Sequence, residues 1–268
     1  MKLGVDIFTQ LIGSFVKRIM DVVLFLPRLV VGAKRYTLPR GFGRRRVLGA
    51  DDFASAPKTR GRDPVGRLLE HLRVAYMSIL EALGGKGSVA IMSPRPQEGR
   101  STIAANMAIA MAHDRHRPVV LIDLDLREPS LHEALGVDNA DGFLDMRPGD
   151  DVEEFLKDTD HENLRVLTAG LGALDPVQAL NLGVLDQVLI DLAAQDVFVV
   201  VDCPQANAFT DVQIIAEKVS GVVTVVKLGS TKRSSLAEYY RKLDGANFLG
   251  VITNYKELWI PPWLYRFL

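Results

Sequence analysis

One ten-residue stretch, "SPRPQEGRST" (93–102), carries residue types that bind phosphate groups. It follows an apolar run and precedes an Ala-rich helical pattern, where backbone N–H groups and a helix N-terminus converge on an anion. Gly99 supplies a glycine, Arg100 a cation, Ser101 a hydroxyl suited to Mg²⁺, and Thr102 lies at the start of the helix. These residues predict a site for the phosphates of ATP or ADP together with Mg²⁺.

Two residues of this loop differ from the types that a phosphate-binding loop favours, a glycine two residues before Gly99 and a lysine directly after it. Gln97 adds a Cβ where such a loop favours glycine, which tolerates unusual backbone angles and close approach. Arg100 replaces the lysine, and its planar fork is longer and bulkier than an ammonium on a slim stem. The sequence therefore predicts a steep fall in turnover, with nucleotide binding weakened or lost.

Carboxylates close two other apolar runs. Asp123 and Asp125 end the run in "LIDLDLREPSLH", two residues apart, and Asp202 ends the run in "VFVVVDCPQ". In phosphoryl transfer one such carboxylate can hold Mg²⁺ while another acts near the nucleophile, and Asp202 is placed as in a Walker B strand. The alternative for Asp123 and Asp125 is a solvated strand end without a ligand.

Alternating strand and helix patterns must position these motifs. Near-continuous Val, Ile and Leu runs predict strands at 88–93, 119–123, 164–169, 197–202, 222–227 and 248–253. Helical patterns are predicted at 65–83, 100–113, 176–194, 210–219 and 231–244. This alternation indicates an α/β fold with a doubly wound, mostly parallel sheet, in which ligands bind beyond the carboxyl ends of the strands.

The N-terminal part differs from the rest in charge and pattern. Its first 50 residues carry ten basic and two acidic side chains, a net charge of +8, whereas the whole chain of 268 residues is at −1. Residues 7–31 have helical apolar spacing but four charged side chains interrupt them, which favours an amphipathic helix over a transmembrane span. We expect this helix and the basic residues after it to dock on a membrane surface or a membrane protein, the alternative being a helix packed on its own domain.

Composition changes divide the chain into four parts. We predict an amphipathic helix and basic arm at 1–49, a linker at 50–64, a P-loop NTPase-like domain at 65–254 and an apolar aromatic tail at 255–268. The single cysteine, Cys203, cannot form an intramolecular disulfide, and no secretory signal is apparent. A cytoplasmic protein, peripheral to the inner face of the plasma membrane, is predicted.

The order of these motifs resembles a known family, the bacterial tyrosine kinases of capsule and exopolysaccharide production, relatives of the MinD/ParA-type P-loop ATPases. That family reads "TSPxPGEGKST", "LIDxDLRxPSLH" and "IIDxPP", and the equivalents here are "MSPRPQEGRST", "LIDLDLREPSLH" and "VVDCPQ". The likeness covers roughly residues 65–254. It implies that Ser101 with Asp123 or Asp202 organises Mg²⁺ and that Asp125 is the base for a tyrosine hydroxyl.

The same resemblance implies that Gly99, Arg100 and Thr102 face the phosphates. Two further departures concern tyrosines. The family has a tyrosine-rich C-terminal cluster, whereas this tail holds only Tyr255 and Tyr265 among apolar residues.

The family also has E-x-x-R-x-x-R in the helix before the sheet, for ring assembly. Here Glu70 and Arg73 match but Tyr76 takes the last position, so ring formation is in doubt, although an oligomer remains open. The alternative for Glu70 and Arg73 is an i,i+3 surface pair.

Three hypotheses for function follow. The leading one is a degenerate kinase-like regulator of polysaccharide synthesis or export, bound through residues 1–31 and 255–268 to a membrane protein of that complex or to anionic lipid. The second is an active ATP-dependent tyrosine kinase in which Arg100 replaces the lysine. The third is a MinD/ParA-like positioning ATPase, which the loop departures disfavour. Nucleic acid is disfavoured as a partner because no aromatic platform accompanies the basic arm.

Overall fold

The computed structural model describes residues 64–115, 117–206, 210–227 and 229–254 of the chain. The amphipathic segment 7–31, the basic arm, the linker to residue 63 and the tail 255–268 lie outside the described residues, so the predictions for them stay predictions. The division of the chain into four parts likewise stays a prediction.

Within the described residues, seven strands form one sheet in the order β3-β4-β2-β5-β1-β6-β7. Their bounds are β1 Ser88–Ser93, β2 Val119–Asp123, β3 Lys157–Asp158, β4 Leu164–Leu167, β5 Phe198–Gln205, β6 Gly221–Lys227 and β7 Phe248–Asn254. All neighbouring strands pair in parallel except β3, which runs antiparallel to β4 at one edge. This confirms the mostly parallel sheet that the apolar runs predict.

Helices cover both faces of this sheet. They are α1 Pro64–Ala82, α2 Arg100–Arg115, α3 Leu131–Leu135, α4 Pro176–Asn181, α5 Val184–Ala194, α6 Asp211–Lys218 and α7 Arg233–Lys242. Short 3₁₀ turns at Phe143–Asp145 and Val152–Glu154 lie between α3 and β3. Every predicted helix is present, with one correction.

The prediction of a single helix over 176–194 is wrong. The segment forms two helices, α4 and α5, separated by Leu182 and Gly183. Gly183 has a φ of +82°, in the left-handed region that a helix cannot contain and that glycine adopts at little cost. The second helix therefore starts in a new direction.

The core is split by the sheet into two layers. In β1, Val89 and Ile91 pack with side chains of α1 and α2, whereas Ala90 and Met92 pack with those of α5, α6 and α7. Because successive strand residues point to opposite faces, a strand buried on both faces reads as a continuous apolar run. The sheet is thus doubly wound, with apolar core on both of its faces.

None of the helices in the described part of the chain is both long and apolar enough to cross a membrane.

Candidate functional site

The three predicted motifs meet at the carboxyl edge of the sheet. β5 lies between β1 and β2, and Asp202 of β5 stands in register with Ile91 on one side and with Asp123 on the other. The loop after β1 and the loop after β2 therefore flank Asp202 directly. This is the position at which doubly wound sheets bind ligands.

The phosphate loop contains a residue in an uncommon backbone conformation. Gln97 has a φ of +58° and Gly99 a φ of +89°. The left-handed region costs a non-glycine residue about 1–2 kcal/mol because Cβ crowds the following carbonyl oxygen. Position 97 thus has a backbone angle that glycine would adopt easily, and the residue that adopts it is an exposed glutamine.

Glu98 ties this loop to two distant elements. Its buried carboxylate accepts hydrogen bonds from the Arg95 backbone N–H, at 3.1 Å, and from the Thr231 hydroxyl. The Asn254 side chain at the end of β7 donates to the Glu98 carbonyl at 2.9 Å. The sequence analysis missed these contacts, for which the only signal was an acid inside the loop motif.

Arg100 is turned into the crevice and is only 9% exposed. Its Nη2 donates to Asp125 Oδ2 at 2.6 Å, and its Nη1 donates to the Ser93 hydroxyl at 3.1 Å. Its Nε lies 3.5 Å from Asp202 Oδ1, close enough for an ion pair. Arg100, which the resemblance places against the nucleotide phosphates, therefore lies against two carboxylates instead.

Asp202 is completely buried, and neither of its oxygens accepts a well-aligned hydrogen bond from the described residues; Arg100 Nε likewise has no such partner. Burial raises the pKa of Asp202, and the charge of Arg100 and the nearby Ser101 hydroxyl act in the opposite direction. The attraction to Arg100 is thus the main compensation for a charge removed from water.

Asp123 is also completely buried and holds the loop that follows it. Its Oδ1 accepts from the Asp125 N–H at 3.1 Å, and its Oδ2 accepts from the N–H groups of Ser130, at 3.2 Å, and Leu131, at 3.0 Å. Burial and the charge of Asp202 raise the pKa of Asp123. The alternative of a solvated strand end is wrong for Asp123, because the β2–α3 loop folds over its carboxylate.

Asp125 lies just beyond the end of β2 and is 8% exposed, so the solvated alternative is wrong for it too. Burial raises the pKa of Asp125, and the charge of Arg100 opposes that effect. Nearby, Arg127 donates to the buried carboxylate of Asp211 at 3.2 and 3.4 Å, which links this loop to the start of α6.

The first turn of α2 fits a phosphate group. Ser101 and Thr102 are half-buried there, and Gly99 with its positive φ precedes them. The first N–H groups of a helix have no intrahelical acceptors and attract anions. These residues could therefore hold nucleotide phosphates.

The fit to Mg²⁺ is poorer. The oxygen donors of Ser101, Asp123 and Asp202 are of the kind that Mg²⁺ prefers. Asp123 already accepts three backbone hydrogen bonds, however, and a guanidinium lies beside Asp202. In the described ranges no group of three or more His, Cys, Asp or Glu side chains is arranged to hold a metal ion.

A second polar cluster joins α1 to α2, away from the crevice. Arg73 donates to both oxygens of Asp114, at 2.5 and 2.7 Å, and the buried Tyr76 donates to the same carboxylate at 2.8 Å. Burial raises the pKa of Asp114, but these hydrogen bonds outweigh it and hold the value at about 2. The guanidinium of Arg73 is thus engaged by Asp114 rather than by Glu70, the partner suggested by the sequence.

Comparison with known proteins finds tyrosine kinases. The chain is 32% identical over 174 residues to the tyrosine-protein kinase YwqD of Bacillus subtilis, covering 64% of this chain and 73% of YwqD. It is 25% identical to the tyrosine-protein kinase CpsD of Streptococcus agalactiae, covering 62% of this chain and 74% of CpsD. The chain spans only about a quarter of longer relatives such as the tyrosine-protein kinase ptk of Acinetobacter johnsonii, covering 26% of that protein.

Solved structures agree with this result. The chimerical protein CapA2B2 superposes with a TM-score of 0.67 at 25% identity, covering 79% of this chain and 92% of that chain. The kinase domain of Escherichia coli ETK has the same fold, with a TM-score of 0.66 at 21% identity and coverages of 82% and 84%. The cell division ATPase MinD of Pyrococcus furiosus gives a TM-score of 0.52 at 28% identity, with coverages of 65% and 76%.

No family model matches the chain. The identity to YwqD extends over most of that protein, and the three motifs meet at one sheet edge in the order that the resemblance requires. The chain therefore belongs to the family of bacterial tyrosine-protein kinases.

Proposed function

We propose that this protein is a degenerate tyrosine-kinase-like P-loop protein that regulates exopolysaccharide or capsule synthesis or export, with nucleotide binding weakened or lost. Its membership of the tyrosine-kinase family supports the kinase-like origin. The geometry of the crevice supports the loss of turnover.

The observation that carries the proposal is the position of Arg100. Phosphoryl transfer needs a cation on the transferred phosphates, and this guanidinium is instead buried against Asp125 and Asp202. To reach a phosphate it would have to leave a 2.6 Å charge-assisted hydrogen bond and expose two buried carboxylates. Binding of ATP in the productive manner is therefore opposed by the resting arrangement.

The same contact occupies part of the candidate base. A carboxylate that accepts a tyrosine proton needs a free oxygen and a raised proton affinity. Burial raises the pKa of Asp125, but Arg100 engages its Oδ2 and opposes that rise. A tyrosine hydroxyl would therefore have to approach the other oxygen of Asp125, Oδ1.

We further propose a cytoplasmic location, peripheral to the inner face of the plasma membrane. Residues 1–31 and 255–268 supply amphipathic and aromatic contacts for a membrane protein of the polysaccharide complex, and the basic arm suits an anionic lipid surface. Co-sedimentation with vesicles of phosphatidylcholine and phosphatidylserine should fall when residues 1–46 are deleted. Equal sedimentation of the full and shortened chains would contradict the lipid contribution.

The direct test is an assay of the purified chain for ATP binding and for tyrosine autophosphorylation, with YwqD as the active control. We expect no phosphotyrosine signal above that of Asp125→Asn. A robust signal that disappears in Asp125→Asn would overturn the proposal.

One observation favours a second candidate, an active kinase. The first turn of α2 keeps Ser101 and Thr102 at the phosphate position, with all three carboxylates present. If Arg100 binds the phosphates as the usual lysine does, Arg100→Lys should change ATP affinity and phosphorylation little. A large gain on this substitution would instead support the degenerate protein.

The likeness to MinD supports a third candidate, a membrane-associated positioning ATPase. Its P-loop would also have to use Arg100, which the contacts with Asp125 and Asp202 disfavour. Identification of the bound partner in membranes separates the two functions, because a glycosyltransferase or polysaccharide transporter would contradict a positioning role.

A further inference from the structure

Three carboxylates converge where the loops after β1 and β2 meet β5. Asp123 and Asp202 are completely buried, and Asp125 is nearly so. Buried carboxylates need a compensating cation or hydrogen-bond donors. In a phosphoryl-transfer site, Mg²⁺ is the expected cation beside such carboxylates.

The chain supplies its own compensation instead. The fork of Arg100 reaches Asp125 with Nη2 and Ser93 with Nη1, while its Nε faces Asp202 at 3.5 Å. A lysine ammonium is a point charge and could not make these three contacts in one plane.

The third carboxylate has its partners in the backbone. Asp123 accepts three hydrogen bonds from backbone N–H groups of its own loop and of α3. Each of the three acids therefore has an internal partner, either the guanidinium or the backbone.

We propose that the Arg100 guanidinium takes the place of the divalent cation in this crevice, so that the site takes nucleotide phosphates without Mg²⁺. A divalent cation beside Asp202 would lie within a few ångströms of the guanidinium, and like charges repel strongly where water is excluded. The N–H groups at the start of α2 remain available for a phosphate anion. The inference rests on the proposed function only in taking this crevice as the nucleotide site.

The first test uses metal alone. Mn²⁺, a paramagnetic substitute for Mg²⁺, is titrated into the full chain and the free ion is followed by electron paramagnetic resonance. We expect no stoichiometric binding up to about 1 mM, a concentration that fills ordinary weak oxygen-ligand sites. Binding of one Mn²⁺ per chain that is lost in Asp202→Asn would overturn the inference.

The second test removes the guanidinium. Arg100→Ala leaves the carboxylates without their cation, so we expect it to gain one Mn²⁺ and to show a Tm that rises with added Mg²⁺. The matched control is Arg127→Ala, which removes a guanidinium from another buried carboxylate, Asp211, and should gain neither. If folded Arg100→Ala gains no metal, the guanidinium does not replace one and the inference fails. If that variant does not fold, the wild-type titration still decides.

The third test uses ADP as the ligand, titrated calorimetrically with EDTA and then with Mg²⁺. We expect measurable binding in both buffers, with two Kd values that agree within about twofold. No measurable binding in either buffer would overturn the inference that the crevice takes nucleotide phosphates. Tightening by tenfold or more with Mg²⁺ would contradict the inference. The two proposals fail separately: tyrosine phosphorylation by the wild type overturns the proposed function, whereas Mn²⁺ binding by the wild type overturns this inference.

Discussion

Arg100 lies against two acids because its long fork crosses from the phosphate loop to the neighbouring strand ends, where Asp125 and Asp202 follow β2 and β5. A shorter ammonium would not satisfy both contacts with the same geometry. Gln97, three residues earlier in the same loop, has a left-handed backbone conformation that suits glycine. The two residues that differ from the phosphate-loop preference, Gln97 and Arg100, therefore both change this loop.

Replacement of Gln97 by glycine should stabilise the protein. Relief of the left-handed strain contributes about 1–2 kcal/mol, and the added flexibility of an unfolded glycine costs about 0.5–1 kcal/mol, so we expect a net gain of up to about 1.5 kcal/mol. Urea unfolding curves of the two proteins measure this difference in the free energy of unfolding. The control is Gln178→Gly in α4, an exposed helical site where glycine should cost about 1 kcal/mol. A loss of stability in Gln97→Gly would contradict the assignment of strain.

Replacement of Asp202 by asparagine should stabilise the protein increasingly as the pH rises. Burial raises the folded-state pKa of Asp202 from its usual 3.8 to about 6, so between about pH 4 and pH 6 the folded chain holds a proton that the unfolded chain has released. Wild-type stability therefore falls over this window, whereas asparagine does not titrate.

We expect an advantage of about 1–2 kcal/mol for Asp202→Asn at pH 8 and little at pH 4, from unfolding curves at both values. The control is Glu217→Gln, which removes an exposed carboxylate from α6 and should not give this advantage. An Asp202→Asn variant that is less stable at pH 8 would mean that the ion pair with Arg100 outweighs the burial of charge.

Among the elements, α1 is fixed to α2 by a carboxylate clasp, Asp114 with Arg73 and Tyr76. This clasp lies between two helices and away from the crevice. Its loss should therefore change the stability of the protein rather than ligand binding. It also engages the arginine that matches the family's assembly motif, which supports the doubt about ring formation.

Replacement of Asp114 by asparagine should lower the free energy of unfolding by about 1–2 kcal/mol at pH 7, a modest value because Arg73 is 41% exposed and partly screened. The pKa of Asp114 lies at about 2, below its usual 3.8. Its contribution is therefore present above pH 4 and is lost as the pH falls towards 2, so the two proteins should converge in acid. Glu81→Gln on α1, the helix that carries Arg73, is the control, and an equal loss there would contradict the clasp.

The sequence predicted the strands well because parallel strands buried on both faces read as continuous Val, Ile and Leu runs. It could not place the break at Gly183, because the apolar pattern continues through it and a glycine alone is tolerated in helices. The two-residue strand Lys157–Asp158 is too short to show a period.

At the site, the sequence brought Asp125, Asp202 and the phosphate loop to one edge because the carboxyl ends of parallel strands meet there. It could not give the direction of the Arg100 fork, which depends on how close β2 and β5 lie. Nor could it find the contact of Glu98 with Thr231, since these residues are 133 positions apart in the chain.

Over the part of the molecule that the structure describes, the tyrosine side chains are packed into the fold. Of the six tyrosines in the sequence, Tyr76 is 3% exposed with its hydroxyl bound to Asp114, and Tyr239 is fully buried with its hydroxyl at 3.0 Å from that of Thr224. Tyr240 packs edge-on against Phe248 and burial raises its pKa. The folded core thus offers poor substrates to a tyrosine kinase.

Any phosphotyrosine on the native chain, added by itself or by another kinase, is therefore expected at Tyr36, Tyr255 or Tyr265. Incubation with active YwqD and ATP, followed by peptide mass spectrometry, measures the sites. A heat-unfolded sample is the control, in which Tyr76 and Tyr239 should become substrates. Phosphate mainly on Tyr239 of the native chain would contradict the buried core.

The proposed loss of ATP turnover depends on Arg100 being held by Asp125 and Asp202. The most direct measurement compares ATP affinity and tyrosine autophosphorylation of the wild type and Arg100→Lys under identical Mg²⁺. We predict no autophosphorylation by the wild type and an ATP affinity at least about tenfold tighter in Arg100→Lys, a gain of about 1.4 kcal/mol. Equal affinities, with wild-type autophosphorylation that is abolished by Asp125→Asn, would contradict the claim.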